Sequence, residues 1–291
     1  MDKAKKIESV GLVANVVKEG VKEAVPRIEA AFSAAGVETH IETATAGVAE
    51  RGGGLTVAEL AGVSDLILAL GGDGTILQVV HELGRLAIPI AGINTGRLGF
   101  LTCARFEEIE QVVDALSAGN YNLSHRCLLR VSIEAESRSS ALFALNEAAM
   151  NRSEVSTTIT LQAKIDGELF SNYSGDGLIV ATPTGSTAYS FSAGGAIVEP
   201  SADVFLLTPI CPHALANRSM VVPDSAELEI APLKEEHNVA LTVDGRFIQE
   251  IPQGASVKVS KAPFRQPLVM LPEQTFSGIL REKLRWQGSN V

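Results

Sequence analysis

One stretch decides how the sequence is interpreted: Asp65-Leu66-Ile67-Leu68-Ala69-Leu70-Gly71-Gly72-Asp73-Gly74-Thr75-Ile76-Leu77. Its apolar first half, residues 65–70, predicts a buried strand. Apolar residues return at helical spacing after Thr75, so the stretch predicts a strand, a tight glycine turn and the start of a helix. Such a turn binds anions, because free N–H groups and the positive end of the helix dipole point at the ligand.

Asp73 is the unusual member of this turn, because a carboxylate repels phosphate. Its presence is explained if it holds a metal ion or takes a proton from a hydroxyl group about to be phosphorylated. Gly72, Gly74 and Thr75 are candidate ligand contacts, since the glycines let the backbone approach a phosphate closely. The alternative is a structural turn in which Asp73 caps the helix. The turn by itself supports both interpretations about equally.

The composition excludes several classes of protein. The 291 residues, 46% hydrophobic and 20% charged, are enough for one large or two ordinary domains with a sizeable core. A formal net charge of -10 argues against a nucleic-acid or anionic-lipid partner. The three cysteines lack CxxC spacing, which indicates reduced thiols. With no apolar run like a signal peptide or membrane span, we expect a soluble cytoplasmic protein.

Strands and helices alternate up to about residue 120, which predicts a parallel sheet covered on both faces. Strands are predicted at 7–13, 37–41, 65–70 and 87–93, and helices at 20–35 and 106–116. Residues 46–62 remain ambiguous, and Pro26 is tolerated if the first helix starts near it. Ligands of such sheets bind at the carboxyl ends of strands, where the turns 71–75 and 94–99 lie.

After residue 120 the pattern changes to short apolar runs, in which apolar and polar residues often alternate. Residues typical of turns separate these runs. These runs are 128–134, 142–149, 158–165, 177–182, 226–230, 238–243 and 255–259. We therefore predict an α/β N-terminal domain, residues 1–122, and a β-rich C-terminal domain, residues 123–264. The pattern does not place the tail, residues 265–291, which could return to the first domain.

A second informative stretch is Ser174-Gly175-Asp176-Gly177-Leu178-Ile179-Val180-Ala181-Thr182-Pro183-Thr184-Gly185-Ser186-Thr187-Ala188-Tyr189-Ser190-Phe191-Ser192. A strand runs into a turn rich in small hydroxyl residues, where Ser186 or Thr187 could cap a following helix. The hydroxyl groups of this turn could form hydrogen bonds with a ribose or a phosphate. The alternative is a turn with a purely structural role. Asn146 and Glu147 could present an amide and a carboxylate to a sugar or base, although polarity at a strand end is commoner.

The absence of several motifs argues against further classes of enzyme. The sequence contains no GxGxxG fingerprint, no GxxxxGK[ST] loop, no GxSxG elbow and no HExxH. A Rossmann dehydrogenase, a P-loop nucleotidase, a serine hydrolase and a zincin are therefore poor hypotheses.

Together the motifs resemble the NAD kinase family, which phosphorylates the adenosine-ribose 2′-hydroxyl of NAD to give NADP. The matching segments occur in the family's order: 71–75, 94–100, 146–147, 176–189, 209–218 and 244–245. Gly-Gly-Asp-Gly-Thr also occurs in diacylglycerol and sphingosine kinases. The segment 176–189, Asp-Gly-Leu-Ile-Val-Ala-Thr-Pro-Thr-Gly-Ser-Thr-Ala-Tyr, is highly specific to NAD kinases and decides the family.

The resemblance implies an NAD-kinase-like two-domain fold, usually a homodimer or homotetramer, with NAD and ATP as substrates and Mg²⁺ or another divalent cation. Asp73 matches the general base. Residues matched or proposed to contact the nucleotides are Gly72, Gly74, Thr75, Asn94, Arg97, Asn146, Glu147, Asp176, Thr187, Ala188, Tyr189, Ser190, Phe191, Ser192, Asp244 and Arg246. Of these, Arg97 is our own hypothesis for a contact to the donor phosphates.

Other functions compatible with the motifs are a catalytically silent NAD(H)-sensing module, a lipid kinase with the same glycine turn, and a phosphatase acting on NADP. Asp73 argues against the sensor, which has no use for a base beside the 2′-hydroxyl. The sequence leaves several properties open: ATP or polyphosphate as donor, NAD or NADH as acceptor, the preferred metal, the subunit number, a regulatory ligand, and whether Asp73 is chiefly a base or a metal ligand.

Overall fold

A computed structural model describes residues 5–96, 99–134, 141–153, 158–214, 216–233 and 239–285. The chain divides into two compact units: unit 1 comprises Met1–His125 and Gln266–Val291, and unit 2 comprises Arg126–Arg265. None of the described helices has both the length and the apolar character needed to cross a membrane.

The elements are numbered in chain order. The helices are α1 (Val21–Ala34), α2 (Thr43–Val48), α3 (Val57–Val63), α4 (Asp73–Leu83), α5 (Ile109–Ala118), α6 (Tyr189–Ser192) and α7 (Phe276–Leu284). The strands are β1 (Ser9–Ala14), β2 (Glu38–Ile41), β3 (Leu66–Gly71), β4 (Ile90–Asn94), β5 (Ala104–Arg105), β6 (Asn122–Glu134), β7 (Leu142–Ala144), β8 (Glu147–Arg152), β9 (Ile159–Ile165), β10 (Glu168–Gly175), β11 (Gly177–Ala181), β12 (Val204–Ile210), β13 (Met220–Pro223), β14 (Leu228–Pro232), β15 (Val239–Val243), β16 (Arg246–Glu250) and β17 (Ser256–Met270). Two short 3-10 turns cover Phe106–Glu108 and Thr184–Thr187.

Unit 1 is built on a parallel sheet in the order β2-β1-β3-β4, which confirms the predicted α/β class. β5 extends the sheet at the carboxyl end of β4, and Leu268 pairs with Ile90 at its start. β3 and β4 end side by side, because Gly71 and Asn94 pair in register. The two turns singled out in the sequence therefore leave the same edge of the sheet.

Helices cover this sheet with one apolar face each. α1 buries Val25, Ile28 and Phe32, which recur every three or four residues as an amphipathic helix requires. Pro26 lies inside α1 beyond its first turn, so the carbonyl of Lys22 loses its helical partner. The buried face stabilises the helix in spite of that loss.

The ambiguous segment 46–62 contributes to two short helices, α2 and α3. The Glu42 carboxylate accepts N–H bonds from the first turn of α2. Thr56 and Glu59 form a capping box at the start of α3. Such caps stabilise helices that are too short to show an apolar period in the sequence.

Unit 2 is β-rich, as predicted. One antiparallel sheet has the order β13-β12-β11-β8-β15-β16, and β10, β9, β14 and β17 pair antiparallel in a second. Both sheets contribute to one core, which includes Met150, Val180 and Leu241 from the first and Leu161 and Val257 from the second.

The sequence reading missed several elements of the β-rich half and joined two others. β10 and β16 are largely exposed, so they lack the apolar alternation that identifies a strand. β12 contains Pro209, and proline disfavours a strand within a sheet because it has no N–H to donate. Pro209 nevertheless pairs with Leu178 of β11. The prediction of a single strand at 142–149 is wrong, because this segment forms two strands, β7 and β8, with a break at residues 145–146.

Candidate functional site

The glycine turn of unit 1 fixes the Asp73 carboxylate. Gly72 precedes α4 and Asp73 is its first residue, without a side-chain capping bond. The carboxylate instead accepts N–H bonds from Phe100 (Oδ2, 2.8 Å) and Leu101 (Oδ1, 3.1 Å). The alternative of a helix-capping aspartate is therefore wrong. Two backbone donors from the turn after β4 hold the group in one orientation.

Gly99 makes this arrangement possible. A Cβ at Gly99 would lie 1.8 Å from Asp73 Oδ1, so any side chain would displace the carboxylate. The Gly99 N–H in turn donates to Thr102 Oγ1 at 2.8 Å. The residues that hold Asp73 therefore lie more than 20 positions away in the sequence, beyond what the motif itself could show.

The other predicted residues of this turn have different environments. Asn94 is buried, and its Oδ1 accepts the Gly96 N–H at 2.9 Å. Thr75 is also buried, whereas a Cβ at Gly74 would meet open space. Arg97 lies outside the described residues.

Sequence reasoning missed Lys18. Its Nζ donates to the Gly71 carbonyl oxygen and lies 3.3 Å from Thr95 Oγ1. It follows the carboxyl end of β1, the parallel neighbour of β3. The rule that ligands bind at strand ends could have identified it, had it been applied to β1 as well.

Asp244 organises the Asn146–Glu147 loop of unit 2. Its carboxylate accepts N–H bonds from Leu145 (2.8 Å), Asn146 (2.7 Å) and Glu147 (3.0 Å). Asp244 and Gly245 connect β15 to β16 with φ of 48° and 73°, as a two-residue Asp-Gly hairpin turn requires. The side chain thus acts on the loop's backbone.

The hydroxyl-rich stretch packs against the same loop. Thr182 Oγ1 donates to the Leu145 carbonyl oxygen at 2.6 Å, and Thr182 N donates to the Asn146 oxygen at 2.8 Å. A Cβ at Gly185 would lie 2.1 Å from that Asn146 oxygen. The small residues of this stretch therefore permit a close approach of two backbone segments.

Glu147 is a buried carboxyl group whose hydrogen-bonding capacity is incomplete. It is 5% exposed, and its Oε2 has no hydrogen-bond partner among the described residues. Burial, and then the nearby Asp244 carboxylate, raise the pKa of Glu147 to about 8. Burial also raises the pKa of Asp244 to about 6, against the opposing effect of its three N–H donors. A ligand hydroxyl at Oε2 would satisfy the unpaired oxygen.

Asp176 and Tyr189 add polar groups to this part of unit 2. Asp176 Oδ1 lies 3.2 Å from Arg152 Nε in a partly exposed ion pair. The Tyr189 hydroxyl donates to Asn151 Oδ1 at 3.5 Å. Burial raises the pKa of Tyr189, and Cys211, Asp176 and Glu147 add to the effect through their charges. Tyr189 therefore shares the electrostatic environment of both carboxylates.

The remaining residues of the predicted set differ in exposure. Ser190 is buried with its Oγ 2.9 Å from Thr208 Oγ1, and Ala188 is partly buried. Phe191 and Ser192 are exposed. Arg246 is exposed at the start of β16, and the described part of the chain gives it no ion pair.

The predicted helix cap in this stretch is wrong. Ala188 precedes α6, which has no side-chain capping bond. Ser186 Oγ instead accepts the Val198 N–H at 2.9 Å, and Thr187 Oγ1 donates to the Thr184 oxygen at 3.3 Å. Ser186 is thus bound to a residue twelve positions away, and Thr187 bonds within its own turn instead of capping α6.

Comparisons with known proteins cover both units. Residues 10–121 match the ATP-NAD kinase N-terminal domain family, and residues 145–271 match the ATP-NAD kinase C-terminal domain family. An NAD kinase of Wolinella succinogenes is 37% identical over 280 residues, 96% of each chain.

Two solved structures are similar to the whole chain. The crystal structure of yeast NADH kinase complexed with NADH has a TM-score of 0.88 and 27% identity, covering 98% of this chain and 89% of that one. An NAD kinase from Archaeoglobus fulgidus in complex with ATP has a TM-score of 0.75 and 30% identity, covering 96% of this chain and 100% of that one.

Proposed function

The chain belongs to the NAD kinase family, and on that premise we propose that it transfers a phosphoryl group from ATP to the 2′-hydroxyl of the adenosine ribose of NAD, forming NADP. The family matches favour this enzyme over the NAD(H) sensor and the lipid kinase. The ATP and NADH bound in the two structural relatives support these substrate classes.

The observation that carries the proposal is the fixed carboxylate of Asp73, held by two N–H donors at the ligand-binding edge of a parallel sheet. A secondary alcohol is a poor nucleophile at neutral pH. A carboxylate within hydrogen-bond reach removes its proton as the new P–O bond forms, and positioning supplies much of the remaining catalysis. Asp73 fits the role of general base because each carboxylate oxygen keeps a lone pair free beyond its N–H bond.

A divalent cation such as Mg²⁺ fits the same residues. Mg²⁺ uses one or two protein carboxylates and takes its other ligands from substrate phosphates and water. Among the described residues no three His, Cys, Asp or Glu side chains cluster to hold a metal, so the protein's contribution would be small and would include Asp73. The cation would neutralise phosphate charge when bound.

Unit 2 would bind NAD. We propose that Asn146 and Glu147 contact a ribose and the nicotinamide side, with the unpaired Glu147 Oε2 accepting a ribose hydroxyl. Asp176 would lie near the substrate, and the stretch 187–192 would line the adenine and its ribose. Asp244 would act through the loop that it holds, and Arg246 stays a predicted contact.

The family resemblance also leads us to propose a cytoplasmic homodimer or homotetramer. Light scattering of the purified protein and cell fractionation would test the two statements, and a monomer or a membrane-bound pool would contradict them.

The test is NADP formation from NAD and ATP with Mg²⁺, read by an NADP-specific dehydrogenase. Asp73→Asn should lower turnover by about a hundredfold or more, the scale of a lost general base. The exposed Asp114→Asn on α5 is the matched control and should resemble the wild type. Chelation of Mg²⁺ should also stop the reaction.

Three outcomes would contradict the proposal. Undiminished turnover by Asp73→Asn would refute the role of Asp73 as general base. Full activity in the presence of a chelator would refute the requirement for a divalent cation. A folded wild type that binds NAD without forming NADP would favour the sensor, after polyphosphate has been tried as the donor.

A further inference from the structure

We propose that Lys18 binds a phosphate group of a nucleotide substrate beside Gly72, together with the side-chain amide of Asn94. The inference rests on the proposed kinase function, since ATP and NAD supply the phosphate chains. It assigns a ligand contact to a residue that no motif of the sequence contains.

Two N–H donors converge on the free side of Gly72. A Cβ built on Gly72 would lie 3.5 Å from Lys18 Nζ and 3.7 Å from Asn94 Nδ2. The Asn94 Oδ1 accepts the Gly96 N–H and would lie 4.0 Å from the same Cβ, so Nδ2 is the nearer end of the amide. Because Gly72 has no side chain, an oxygen-rich group can enter this space and reach both donors.

The charge of Lys18 is not neutralised locally. Its hydrogen bonds go to the Gly71 carbonyl oxygen and to Thr95 Oγ1, which are both uncharged. Within the described ranges no carboxylate lies at ion-pair distance from its ammonium group. An ammonium group has three donors, so one N–H and the full charge remain for an anion.

Two further features favour an anion at this place. α4 begins at Asp73, and the positive end of its dipole adds to the potential of Lys18. Thr75 is buried, its Oγ1 has no partner among the described residues, and it would lie 2.2 Å from a Cβ at Gly71. This hydroxyl is thus aimed at the same turn with its hydrogen-bonding capacity unused.

Lys18 could instead serve only to hold the Gly71 carbonyl. Substitutions separate the two roles, because Lys18→Gln keeps an N–H donor for Gly71 without the charge, and Lys18→Arg keeps the charge. Lys22→Ala is the control, since this lysine is exposed on α1 and pairs with Glu50.

The experiment measures kcat and the separate KM values for MgATP and NAD in these variants. Lys18→Gln should raise one of the two KM values about tenfold or more, the scale of one charge-assisted hydrogen bond. Lys18→Arg should stay within about threefold of the wild type, and Lys22→Ala should match it. A raised KM for MgATP assigns the phosphate to the donor, and a raised KM for NAD assigns it to the dinucleotide.

The proposal is overturned if Lys18→Gln leaves both KM values within about twofold of the wild type. It is also overturned if Lys18→Arg loses affinity as Lys18→Gln does, because charge would then not be the cause. Calorimetric titration with inorganic triphosphate measures phosphate binding beside Gly72 without turnover. This measurement tests the contact even if the protein forms no NADP. Binding should weaken in Lys18→Gln, and equal binding would refute the contact.

Discussion

Asp73 in unit 1 and Glu147 in unit 2 are carboxylates held in opposite ways. Both oxygens of Asp73 accept backbone N–H bonds, so its position is fixed in the protein itself. Glu147 has a buried oxygen without a partner among the described residues, and its pKa is raised to about 8. A fixed group suits chemistry at one atom, whereas an unsatisfied buried group gains most when a ligand completes its hydrogen bonds.

The two regions also differ in what the supporting turn provides. In unit 1 the backbone of a glycine-containing turn donates to the Asp73 carboxylate. In unit 2 a second carboxylate, Asp244, accepts from the backbone of the Asn146–Glu147 loop, and Glu147 Oε2 keeps no partner among the described residues. The following predictions test this difference.

The largest effect is expected for Gly99→Ala, which should lower kcat about a hundredfold. Its Cβ would overlap Asp73 Oδ1, and small misplacements of catalytic groups have costs of this order. NAD binding should change little. Gly47→Ala in α2 is the control in the same unit, because its Cβ would meet open space. Steady-state kinetics would measure both, and an unchanged kcat in Gly99→Ala would show that the carboxylate has room to move.

A smaller effect is expected for Gly185→Ala in unit 2. Its Cβ would overlap the Asn146 backbone, so the loop that carries Glu147 must shift. We expect the KM for NAD to rise about tenfold, as for a weakened charge-assisted hydrogen bond, with a smaller change in kcat. Gly62→Ala in α3 controls for the loss of a glycine, since its Cβ meets open space. A kcat loss with an unchanged KM for NAD would contradict the division of roles between the units.

The smallest effect concerns stability and pH. The pKa of Glu147 rises from its ordinary 4.5 to about 8 on folding, so the folded protein keeps a proton that the unfolded chain releases. Stability from this group is therefore present at low pH and is lost as the pH rises from about 4.5 to about 8. Glu147→Gln lacks this loss, and its unfolding midpoint should fall by about 6 °C less than that of the wild type between about pH 5 and pH 8.

Thermal unfolding followed by circular dichroism would measure the difference. The exposed Glu168→Gln in β10 should follow the wild-type curve. Parallel curves for Glu147→Gln and the wild type would mean that the carboxyl group is not protonated in the folded protein. Because the Asp244 carboxylate interacts with Glu147, the difference between Glu147→Gln and the wild type measures the titration of this pair.

Much of the fold followed from local signals. The apolar run before Gly71 and the helical period after Thr75 identified β3 and α4, because a buried strand and an amphipathic helix each impose their period on the sequence. Exposed strands such as β16 impose no such period, and α2 depends on a cap, so both escaped the pattern.

The sequence by itself determined the two-domain class, the family, and the residue types that a phosphoryl transfer requires. Only the tertiary structure decided that Asp73 receives its hydrogen bonds from the turn after the next strand, that Asp244 holds the Asn146–Glu147 loop, and that Lys18 faces Gly72. The physical reason is that these contacts join residues far apart in the chain. Hydrogen-bond geometry and desolvation depend on distances in space, which neither composition nor periodicity specifies.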